Sequence, residues 1–134
     1  MQYKILAHPS DVRVQAFGKT KAGLFKNAML GMKEVLRPKI LNSKSEIRNI
    51  KVKSVDANAL LADFLNEILC QIQTNKEAYT KIEFNEFKDN ELEAELSGNK
   101  VESFGEEIKA ATHHDLKIEQ NKEGLWQATT LLDI

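Results

Sequence analysis

The densest chemistry in this 134-residue chain lies in one run of eleven, Glu106-Glu107-Ile108-Lys109-Ala110-Ala111-Thr112-His113-His114-Asp115-Leu116. Acids, a lysine, a hydroxyl and two imidazoles follow one another there, in an order that matches no general catalytic or metal template. Neighbouring residues on a strand point to opposite faces. His113 and His114 therefore do not share a metal as an i, i+4 helical pair would, and the run reads locally as a polar strand or turn. A second set of groups stands at the ends of strands. Asp11 follows a break, and Asp133 precedes Ile134, whose free α-carboxylate adds a third anionic group. If the last strand lies beside the start of the second, these three converge. Carboxylates brought together repel one another and resist ionisation unless a cation neutralises them. An all-oxygen cluster suits Ca²⁺, Mg²⁺ or Mn²⁺ rather than zinc. The alternative is an exposed acid at each strand end.

Other chemistries are excluded by what is missing. The chain has no phosphate-cradling glycine loop, no nucleophile elbow, and one cysteine, so no CxxC pair. A stand-alone nucleophilic enzyme is a poor first reading. With a formal net charge of -1 and a pI near 6.3, the protein lacks the basic balance for gripping phosphate backbones over a broad surface. A partner that itself binds nucleic acid stays open. Cys70 falls in an apolar helical pattern and reads as core, in keeping with a reducing compartment. The N-terminus shows no secretion signal and no apolar run reaches membrane-spanning length, so a soluble, cytoplasmic protein without membrane association is expected.

The elements that must position these groups follow from hydrophobic periodicity. At 42% hydrophobic and 29% charged residues, with two prolines and six glycines, the composition is that of a folded chain, and one domain over residues 1–134 is expected. Met1 to Ala7 reads as a strand, broken at His8-Pro9-Ser10-Asp11. Val12, Val14 and Ala16 alternate with Arg13, Gln15 and Phe17 as a half-buried strand ending at Gly18. From Thr20, a plausible N-cap, Leu24, Phe25, Ala28, Met29, Met32, Val35 and Leu36 follow helical spacing up to the stop at Pro38. Residues 39–44 read as a connection, and Ile47 to Val55 as an irregular strand bulged near Asn49. Asp56 or Asn58 caps a second helix with one apolar stripe, Leu60, Leu61, Phe64, Leu65, Ile68, Leu69 and Ile72. Its Asp63, Asn66 and Glu67 read as a solvated flank.

Ala78 to Lys88 and Glu91 to Gly98 read as strands joined at Asp89-Asn90, the second with an acidic wet face. Asn99 to Gly105 reads as a loop. Leu116 and Ile118 continue a strand, a turn follows at residues 121–124, and Leu125 to Ile134 forms the last strand. Helices early and hairpins late do not alternate as a parallel sheet requires, so the fold class is α+β, a mostly antiparallel sheet packed by two amphipathic helices.

Five blocks, in order, resemble the archease family. His8-Pro9-Ser10-Asp11-Val12 with Ala16-Phe17-Gly18-Lys19-Thr20 is similar to its opening His-Thr-Ala-Asp block and later aromatic-Gly-Lys-Thr. Leu24-Phe25-Lys26-Asn27-Ala28 with Met32 is similar to its first helix, and Leu60 to Leu69 to its Asp-Trp-Leu-Asn-Glu-Leu helix. Glu107 to His114 resembles the Glu-Val-Lys-Ala-Val-Thr-Tyr-His block, and Leu132-Asp133-Ile134 the terminal Val-Asp-Ile. Departures are Pro9-Ser10 for Thr-Ala, Arg13 for a small residue, no histidine within Val101 to Glu106, and His113 for tyrosine; they bear on partner specificity more than on metal binding.

The resemblance implies an accessory protein rather than an enzyme. Archeases assist the RtcB-type RNA ligase, which uses GTP and Mn²⁺ in tRNA splicing and RNA repair, by promoting its guanylylation and multiple turnover. It implies a divalent metal on Asp11, Asp133 and Ile134, and a role in partner activation for Lys109, with RNA touched only indirectly. A small metal-dependent hydrolase using the same acids and a chaperone-like binding module are the competing readings. His8, His113 and His114 read as turn or surface residues, Trp126 as core or interface, and the oligomeric state is not legible.

Overall fold

The computed structural model describes residues 1–7 and 11–134; the expected break at His8, Pro9 and Ser10 lies outside them. The elements are β1 (Tyr3–Ala7), β2 (Asp11–Gly18), α1 (Lys21–Leu36), β3 (Pro38–Ile40), β4 (Glu46–Lys53), α2 (Ala57–Asn75), β5 (Glu77–Phe87), β6 (Glu91–Phe104), β7 (Ala110–Ala111), β8 (Glu119–Gln120) and β9 (Trp126–Asp133). All strand pairings among the described residues are antiparallel and fall into two sheets, in agreement with the α+β reading. In the first sheet β9 lies between β2 and the two short strands β7 and β8, with β1 outside β2. In the second, β6 is central, paired with β4 and β5 along most of its length and with β3 at its far end.

Local chemistry sets the helix limits. The Thr20 hydroxyl accepts from the Gly23 N–H at 3.0 Å, satisfying one of the free donors of the first turn of α1. The helix ends on Arg37, whose φ of 44° is the left-handed turn that stops α-helical bonding before Pro38. Asp56, of the two proposed caps, starts α2 by accepting from the Ala59 N–H at 2.8 Å.

Both apolar stripes are buried as their spacing predicts. α1 lies on the inner face of the first sheet, where Val12, Val14 and Ala16 point. Gly31 permits the approach, since a Cβ there would come within 2.5 Å of Val14. The rings of Phe25, Phe64, Phe84 and Phe87, at centroid separations of 4.9–6.0 Å, join α1, α2 and β5.

Several boundaries depart from the sequence reading. Residues 38–40 are a strand rather than part of a connection, paired with the end of β6. β6 does not stop at Gly98 but runs to Phe104, through the expected loop. Gly98 serves a bulge instead: β5 shifts register between Tyr79 and Lys81, and a Cβ on Gly98 would stand 1.9 Å from the Ala78 carbonyl oxygen. β4 pairs with β6 in unbroken register and has no bulge at Asn49, and Val55 lies beyond it, exposed. Cys70 is exposed rather than core; one residue past Leu69, it is turned about 100° off the apolar stripe.

Candidate metal centre and the strand beside it

β2 and β9 run in register over their whole length, and their last paired residues are Asp11 and Asp133. The alternation that buries Val12 and Leu132 turns both aspartates to the other face of the sheet. Directly opposite residues in such a pair have Cβ atoms about 5 Å apart, and like charges so placed destabilise the sheet unless neutralised. No ion pair among the described residues involves either acid. Asp11 Oδ1 is buried without a hydrogen-bond partner among the described residues. A buried carboxylate oxygen in that position carries an uncompensated desolvation cost. Among the described residues, no three His, Cys, Asp or Glu side chains gather as a metal cluster, so a cation here needs a further oxygen ligand beyond the two aspartates.

The dense run of residues 106–116 lies on the other side of β9. Ala110 is the register partner of Asp133, and the Lys109 N–H donates to the Asp133 carbonyl at 2.7 Å. Asp11, Asp133 and Lys109 are thus on three adjacent chain segments, and the Lys109 side chain is exposed. Ile134 follows directly and packs partly buried against the core, beside a cavity of about 290 Å³ that Ile5, Glu34, Arg37 and Glu106 also line.

Only Ala110 and Ala111 of the run form a strand. What holds the rest is a row of amide side chains on α2, of which Asn66 belongs to the flank that reads from sequence as solvated. The Asn66 carboxamide takes both backbone groups of Ala111, donating to its carbonyl and accepting from its N–H, each at 2.8 Å. The Gln73 amide donates to the Ile108 carbonyl at 3.3 Å, and the Asn58 side-chain oxygen accepts from the Ile118 N–H at 2.9 Å. Spacings of eight and seven residues put these amides within about 80° of one another, on one face of the helix; that recurrence of neutral amides is the signal that could have revealed them.

Asp63 also leaves the solvated reading, accepting from the Ser54 hydroxyl and standing 3.1 Å from His113 Nε2. Among the described residues, Glu67 accepts only from Gln71, on its own helix. His113 and His114 are exposed, as expected of surface residues, in a turn where Asp115 has a φ of 51°. His114 faces Asp115 at 3.2 Å, and His8 lies outside the described residues. Trp126 is half-buried with Lys21 Nζ 4.9 Å above its ring.

The geometry has known counterparts. Residues 3–134 match the Archease protein family (MTH1598/TM1083). The chain is 32% identical to the protein archease of Methanosarcina barkeri and 30% identical to that of Methanosarcina mazei, covering in each case 99% of this chain and 96% of the relative. Its fold superposes on the solution structure of Methanobacterium thermoautotrophicum protein 1598 with a TM-score of 0.71 at 25% identity, covering 98% of both chains. It is also similar to a Thermotoga maritima crystal structure described as an archease and possible chaperone, with a TM-score of 0.70 at 21% identity over 98% of this chain and 96% of that one. With a family match over nearly its whole length and relatives this close, the chain belongs to the archease family.

Proposed function

We propose that this protein activates an RtcB-type RNA ligase, promoting its guanylylation and multiple turnover in tRNA splicing and RNA repair, and is not itself a catalyst. The observation that carries the reading is the pairing of Asp11 with Asp133, with one oxygen of Asp11 buried and unbonded. Residues so arranged fit a hard divalent cation, Ca²⁺, Mg²⁺ or Mn²⁺, held by the two aspartates and the α-carboxylate of Ile134. Such an ion supplies positive charge for phosphate or carboxylate oxygens. Asp11 and Asp133 hold it at the end of the sheet. Lys109, fixed through its N–H to Asp133, offers a second positive charge from the same edge. Together they present a metal ion and an ammonium group at one tip, their positive charge offset by the three carboxylates, on a protein of near-neutral charge, suited to a protein partner's nucleotide site rather than to RNA itself.

The test is multiple-turnover joining of RNA ends by a cognate ligase, with and without this protein, together with guanylylation of the ligase by GTP. Stimulation of both steps is expected, and no effect on either would overturn the reading. Turnover of nucleotides or phosphoesters by the isolated protein would instead favour a metal-dependent hydrolase.

A further inference from the structure

In a strand at a sheet edge, every second residue turns its one N–H and one carbonyl away from the sheet and normally leaves them unpaired. Ala111, whose register partner on β9 is Leu132, is such a residue, but the Asn66 side chain binds both its N–H and its carbonyl. A primary carboxamide carries a donor and an acceptor side by side, as a peptide group does, so Asn66 stands in for a missing strand neighbour. The backbone on either side of Lys109 is then fixed. Ile108 is buried and its carbonyl accepts from Gln73, the Lys109 N–H is bonded to Asp133, and Ala111 is gripped by Asn66, while the Lys109 side chain extends into solvent.

We propose that Asn66 is a positioning residue for Lys109: its paired bonds to Ala111 hold the lysine beside the Asp11–Asp133 edge in the register that partner activation requires. The inference rests on the activator reading above, and adds a residue that touches neither the cation site nor the partner-facing lysine. Asn66→Asp is nearly isosteric and keeps the acceptor for the Ala111 N–H. Its second oxygen replaces the donor facing the Ala111 carbonyl, so one attraction becomes a repulsion.

Two measurements on the whole protein test this. By amide hydrogen exchange, Asn66→Asp should speed exchange at Lys109 at least about tenfold, as local opening becomes easier, with β2–β9 amides such as Val14 unchanged. In ligase stimulation, Asn66→Asp should lower the maximal effect at least about tenfold, within the roughly hundredfold that misplacing a group by about 1 Å can cost. Lys109→Ala should then add no further loss in the Asn66→Asp background. Asn66→Ala, which keeps helix propensity, repeats the test if the aspartate variant folds poorly. Unchanged exchange at Lys109, full stimulation by Asn66→Asp, or losses that multiply with those of Lys109→Ala would each overturn the proposal. If the wild-type protein stimulates no ligase, the activator reading fails by itself, and the exchange experiment still decides whether Asn66 holds Lys109.

Discussion

Two carboxylate sites, one in each sheet, are built in opposite ways. In the second sheet Glu77 is fully buried, and Arg48 meets it through two bonds of 2.8 and 2.9 Å. Lys100 Nζ stands at 3.1 Å and the Tyr79 hydroxyl donates at 2.8 Å. The Arg48 guanidinium, helped by Tyr79 and Lys100, overcomes desolvation and pulls the Glu77 carboxyl down to about 2. Burial, reinforced by Glu77, pushes the Tyr79 hydroxyl up to about 12. In the first sheet Asp11 and Asp133 face each other with no cation paired to them among the described residues and one buried oxygen unbonded there. A carboxylate satisfied from within serves the fold, whereas an unsatisfied pair is what the proposed cation would neutralise.

The contrast can be broken experimentally, the largest effect first. Glu77→Gln removes the counter-charge of Arg48 and Lys100, which are partly exposed and can be solvated, and should cost about 1.5–3 kcal/mol in chemical denaturation, the scale of hydrogen bonds to a charged group. Asp133→Asn should leave the metal-free protein as stable or slightly more so, because it relieves a like-charge pair worth less than about 1 kcal/mol. Equal losses in the two variants would erase the distinction between the sites.

Acid should act through Glu77. Its folded-state value of about 2 lies below the ordinary 4.5, so its stabilising contribution is complete above about pH 4.5 and is lost as the pH falls through about 2. Denaturation midpoints should therefore decline across that window in wild type, and the Glu77-dependent part of the decline should vanish in Glu77→Gln. Lys109→Ala carries the smallest structural effect: it should keep the unfolding free energy within about 0.5 kcal/mol, as for other exposed positions, while reducing ligase stimulation. Full stimulation by that variant would remove Lys109 from the mechanism.

How much of this was legible in the sequence depends on how local the cause is. Period-two alternation placed β2 and β9 and put Asp11 and Asp133 at their ends; period-3.6 stripes placed both helices and nearly all of their buried faces. The register that sets the two acids opposite each other is tertiary, and entered only as a condition. β3, β7 and β8 are too short to carry a periodic signal, since they exist through their partners β6 and β9. Gly98 looks like a strand end because glycine so often marks one, yet its lack of a side chain serves the bulge facing Tyr79. Asn66 sits on a polar flank that reads as solvated and Asn58 at a position that reads as a helix cap, and only the path of residues 108–118 shows that they and Gln73 bind a backbone. Cys70 looks like core for a simpler reason, its chain neighbour Leu69 belonging to the stripe from which it turns away.

The most direct measurement is a calorimetric titration of the whole protein with Ca²⁺ and Mn²⁺, compared with Asp11→Asn, Asp133→Asn and a variant extended by a few residues beyond Ile134. One divalent ion per chain should bind the wild type, with affinity reduced at least about tenfold in every variant, as loss of about 1.4 kcal/mol from a ligand set implies. Unchanged affinity in the two aspartate variants would contradict the account, because the unbonded oxygen of Asp11 would then have no cation to explain it.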